Sequence, residues 1–129
     1  TPIPDHIDIL GKFEQGGQMR LSISSVIGNM ENIVDIYICG TKGTLRLCEK
    51  KDGKKRLYGA SKGSDRLEQI TIKDEDKGMW RVEEEFINAI RGEENISHTD
   101  FSTAVKYMEW TDAVTKSLKT GHVIQLPLI

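Results

Sequence analysis

The residues whose types could carry chemistry are scattered along the 129-residue chain rather than gathered at catalytic spacings. Asp5, His6 and Asp8 come nearest to an acid/base arrangement, with carboxylates close to an imidazole. They lie in an alternating stretch, however, and neighbours along a strand point to opposite faces, so Asp5 and His6 diverge and a structural role is expected. His6, His98 and His122 are far apart, with no cysteine or carboxylate at the spacing of a zinc site, and all three are expected at the surface. The run Glu83-Glu84-Glu85 suits the amino terminus of a helix, where negative charge complements the dipole, and is expected to be a solvated face. Trp80, Tyr107 and Trp110 could stack on a sugar ring, but their helical spacing among apolar neighbours points to core packing. The glycines at 40, 43, 53, 59 and 63 fall between antiparallel strands instead of forming a Gly-x-Gly-x-x-Gly cradle after a strand, and there is no P-loop. No catalytic, cofactor-binding or metal-ligating residue is assigned on this reading.

The bulk properties narrow the classes of partner. A hydrophobic fraction of 37% and a charged fraction of 29% are those of one globular domain. No apolar run approaches the roughly 20 residues of a membrane span. The formal net charge is −2 and the cations are mixed among acids, so neither nucleic acid nor membrane is an expected partner. Thr1 is not a methionine and no leader-like segment follows it, from which the chain is expected to be a piece of a longer protein. Cys39 and Cys48 are expected to be free thiols in a reducing cytoplasm.

The elements that must position these residues change character near Gly78, with strands before and helices after. Ile7, Ile9 and Phe13 alternate with His6, Asp8, Lys12 and Glu14, and Met19, Leu21, Ile23 and Ile27 continue the period-two pattern. Leu10 breaks it. The loop Gln15-Gly16-Gly17 joins the two strands, and pairing Phe13 with Met19 sets Ile9 opposite Ile23. Residues 33–39 and 44–50 form a second hairpin through Gly40-Thr41-Lys42-Gly43. Pairing Cys39 with Thr44 then places Ile36 against Leu47 and Ile38 against Leu45 on one face, with Tyr37 against Arg46 and Asp35 against Cys48 on the other. That register separates the cysteines by about 13 Å at roughly 3.3 Å per residue, whereas a disulfide needs Cα atoms within about 7 Å. Asp52-Gly53 signals a third turn into a strand at 56–59, and 67–72 could supply a sixth strand.

From Trp80 the apolar period becomes helical through Val82, Phe86 and Ile90, ending at Gly92. A second helix follows a cap at Thr99 or Asp100 and runs to Thr120 before Gly121. Residues 122–126 have the composition of a last strand. The expected fold is α+β: an open, mainly antiparallel sheet with two helices packed on the face carrying Ile9, Ile23, Ile36, Ile38, Leu45 and Leu47. Helices cover one face of such a sheet, and the opposite face must meet water or another subunit. That face carries Ser22, Ser24, Tyr37, Cys39 and Arg46, a mixture of small hydroxyls, an aromatic and an arginine that suits a homo-oligomeric contact.

Three stretches resemble one family. Asp5 to Ser25 reads as Asp-x-x-x-x-x-Gly-x-Phe-x-x-Gly-Gly followed by an alternating strand. Ile36 to Leu45 is similar to a recurrent i-x-G-t-x-G-t-l hairpin. Phe86-Ile87-Asn88-Ala89-Ile90-Arg91-Gly92, Thr99-Asp100-Phe101, Tyr107-Met108-Glu109, Ser117, Gly121 and Val123 to Pro127 resemble its closing segments. These are the marks of the carboxy-terminal domain in the glucose-fructose oxidoreductase, myo-inositol dehydrogenase and rhizopine-catabolism (Gfo/Idh/MocA) family. The resemblance implies that residues 1–129 are one domain, the substrate-pocket and oligomerisation half of a sugar or polyol oxidoreductase whose amino-terminal Rossmann domain holds NAD or NADP. The family's catalytic lysine in Glu-Lys-Pro and its histidine in Asp-x-Gly-x-His have no match in this chain. A naturally separate dimerising or ligand-binding module on the same fold is the alternative.

The isolated chain is expected to show no micromolar binding of NAD or NADP, because the groups that cradle a dinucleotide are missing. Titration calorimetry with both cofactors tests this, and micromolar binding of either would overturn it.

Overall fold

The computed structural model describes residues 4–97 and 100–128. His98 and the alternative helix cap Thr99 lie outside the described residues, as does Thr1. The chain divides into two compact units, Thr1–Gly78 and Met79–Ile129, the first built of strands and the second of helices.

The strand unit holds two antiparallel sheets where one was expected. β1 (His6–Lys12) pairs with β2 (Gln18–Ser24), and β3 (Asn32–Gly40), β4 (Gly43–Lys50), β5 (Lys55–Ser61) and β6 (Glu68–Ile70) form a separate sheet in that order. The first hairpin pairs two residues away from the expected register: Gly11 faces Met19, Ile9 faces Leu21 and Ile7 faces Ile23. The reason is a loop of five residues instead of three. Phe13 closes it, donating its N–H to Gly17 (3.2 Å) and accepting from Gly16 (3.0 Å), so Phe13 is unavailable to pair with Met19. Gly16 and Gly17 both take positive φ, 88° and 87°, which a side chain would resist. Because the slip is even, every residue keeps its expected face. Ile7, Ile9, Gly11, Met19 and Leu21 lie half-buried, and Leu10, which broke the pattern, is exposed.

The second hairpin pairs as expected at every position from Cys39–Thr44 to Asp35–Cys48. β5 then adds Leu57 opposite Leu47 and Gly59 opposite Leu45, and β6 adds Ile70 opposite Leu57. Ile36, Ile38, Leu45, Leu47, Leu57 and Ile70 thus share one face. Ile36, Ile38 and Leu45 are 45%, 63% and 42% exposed, and the most buried strand residue, Cys48 at 1%, lies on the opposite face. Gly43 fits where no other residue would: a Cβ there would sit 2.2 Å from the Ala60 carbonyl oxygen of β5.

The helical unit is defined by its ends. α1 (Val82–Arg91) begins two residues after the expected Trp80 and stops at Gly92, whose φ of 73° closes the last turn. The acidic run is not uniformly solvated: Glu85 is 5% exposed and accepts from the N–H (3.1 Å) and the hydroxyl (2.7 Å) of Ser97. Arg81 bonds Glu84 and Glu94, and Asn88 also donates to Glu94, fastening residues 94–97 back against α1. The core expectation fails for Trp80 and Tyr107, which are exposed, while Trp110 is half-buried. α2 (Phe101–Thr120) is capped by Asp100, whose carboxylate accepts from Thr103 N–H at 2.7 Å, and ends at Gly121 with φ 70°. The expected strand at 122–126 does not form. These residues trail α2 as an irregular tail, with Ser117 Oγ donating to the His122 carbonyl (2.8 Å) and Leu128 N–H donating to Glu109 (3.0 Å). They find no strand to pair with among the described residues.

Gly43→Ala is expected to destabilise the chain by about 1–3 kcal/mol or more, the range of forced overpacking. Gly28→Ala, where a Cβ meets nothing within 4 Å, should be close to neutral. Urea unfolding of the two variants decides it, and equal midpoints would show that the strand β5 yields at no cost.

Candidate interface site

The face opposite the aliphatic one is organised by cross-strand rows. Alternation along β3 puts Asp35, Tyr37 and Cys39 on it, and the ladders set Cys48 and Arg56, Arg46 and Tyr58, and Thr44 and Ala60 beside them in turn. Arg46 lies between two tyrosines of its row. Its guanidinium carbon stands 5.1 Å from the centroid of the Tyr37 ring, a cation–π contact. It also reaches diagonally to Asp35 with two parallel bonds, Nε to Oδ1 at 2.8 Å and Nη2 to Oδ2 at 2.7 Å. Asn32 adds a third bond to the same carboxylate at 2.8 Å.

This fork-to-fork geometry gives direction as well as attraction. It holds the Asp35 carboxyl below its ordinary range, chiefly through the Arg46 hydrogen bonds and against a desolvation cost, and raises the guanidinium above its own. Two further pairs line the same end of the sheet, Lys50 with Glu31 and Arg56 with Asp52. The Arg56 bonds, then the Lys54 N–H, hold Asp52 down to about 2. Every arginine in the sheet's rows thus has its own acid, and Cys48 is enclosed between Asp35 and Arg56 at 1% exposure. Cys39 is exposed, and both thiols are free.

The five residues expected at an interface are not on one continuous sheet. Tyr37 (54% exposed), Cys39 and Arg46 share the polar face of β3 and β4. Ser22 and Ser24 belong to the separate β1–β2 hairpin, opposite Asp8 and His6. Ser24 Oγ accepts from the N–H groups of Val26 and Ile27 at 3.3 Å each, so it shapes the exit of β2. Ser22 lies beside Asp8 and, with His6, holds that carboxyl below its ordinary range.

A different pair was concealed in the Asp5–Asp8 stretch: His6 Nε2 and Asp8 Oδ2 meet at 3.3 Å because residues two apart share a face. Asp52, Arg56 and Tyr58 were missed as members of the face, and Asp35, placed on it against Cys48, was not singled out as the partner of Arg46. Asp35 was recoverable from the β3–β4 register as the acid diagonal to Arg46. Arg56 and Tyr58 needed the β4–β5 register, which no short alternating pattern specifies. Among the described residues no group of histidine, cysteine or carboxylate side chains is placed to hold a metal ion, and no helix is long and apolar enough to cross a membrane.

The family model described as "Oxidoreductase family, C-terminal alpha/beta domain" matches residues 3–126. No curated protein and no solved structure matches the chain.

The depressed Asp52 carboxyl has a signed consequence. A group whose folded pKa lies below its unfolded value adds stability above the unfolded value, near 3.9 for aspartate, and that contribution is lost as the pH falls. For Asp52 the window is from about 4 down to about 2. Carbon-detected NMR titration should place its midpoint near the lower figure and Arg56→Gln should raise it toward the ordinary range; a midpoint unchanged by that substitution would contradict the assignment to Arg56.

Proposed function

The chain belongs to the oxidoreductase family whose carboxy-terminal alpha/beta domain model it matches over residues 3–126, and from that membership we propose that it is the substrate-enclosing and oligomerising half of an NAD(P)-dependent sugar or polyol oxidoreductase. On this reading residues 1–129 work as one domain and carry no hydride or proton chemistry of their own. The amino-terminal dinucleotide-binding domain of the parent supplies cofactor and catalytic groups, and this chain supplies a wall of the pocket and the contact to a second copy. The two free thiols suit a reducing cytoplasm as its site of action.

The observation that carries the oligomerising role is the pairing of charge on the Tyr37–Arg46 face. A surface destined for contact must lose water, and an unpaired charge there is costly. Asp35 and Arg46 already neutralise each other through two short bonds, so neither brings an unpaired charge to a contact. The half-exposed Tyr37 ring beside them offers the large, rigid contact area typical of interface anchors. A two-fold contact in which each patch meets its copy satisfies both.

Light scattering at micromolar concentration should find a dimer, and Tyr37→Glu should weaken it by about thirtyfold or more, the effect of losing a central anchor. Ser24→Arg, on the separate hairpin, measures whether the contact extends beyond the four-stranded sheet. A wild-type monomer, or a dimer indifferent to Tyr37→Glu, would show the face to be solvated.

A further inference from the structure

We draw no further inference here: the strongest candidate, the exposed aliphatic face of the four-stranded sheet around Ile38, Leu45 and Ile70 with the open hollow beside its β3–β4 turn, carries nothing because nothing in the structure shows what covers it.

Discussion

The bond between Asp35 and Arg46 fixes what the four-stranded sheet presents on its polar side. It runs diagonally from β3 to β4 in the observed register, and the guanidinium it holds stands over the Tyr37 ring. With Arg46 drawn toward Asp35, the Cys48 side chain is enclosed in the row next to it. An exposed ion pair contributes little to stability. Its importance here is directional: one bidentate contact holds the guanidinium beside an aromatic ring and pairs the charge of the surface next to a buried thiol.

What could be foreseen from the residues depended on how short the connection was. The β3–β4 hairpin is joined by a tight glycine-flanked turn, and a single pairing determined all the others down to Asp35–Cys48. The β1–β2 loop was mistaken by two residues because Phe13 has the apolar character of a strand residue but closes the turn through its backbone. The error was even, so the faces survived it. The helix stops at Gly92 and Gly121 were legible because positive φ is a local demand that glycine meets.

Long-range pairings were not legible in the same way. Residues 122–126 have strand-like side chains, but a strand is defined by its partner, and the tail is held instead by Ser117 and Glu109 of α2. Glu85 reads like its neighbours Glu83 and Glu84, yet it is turned inward because Ser97, twelve residues on, offers two donors. The interface residues were divided for the same reason. Period two gives each strand a face, but it does not state which strands share a sheet, and Ser22 and Ser24 were grouped with Tyr37 across a boundary that only hydrogen-bond ladders define.

The two thiols give the sheet an internal gauge. Cys39 and Cys48 sit four positions apart along one ladder, the first open to solvent and the second sealed at 1% exposure. An alkylating reagent meets Cys39 in the folded chain and Cys48 only when the rows around it part. The ratio of the two labelling rates therefore measures how often this part of the sheet opens, with the exposed thiol correcting for reagent reactivity in the same molecule. A contact laid over the Tyr37 face would slow both, whereas loosening of the Asp35–Arg46 bond would quicken the second alone, so the same chain can distinguish being covered from being held shut.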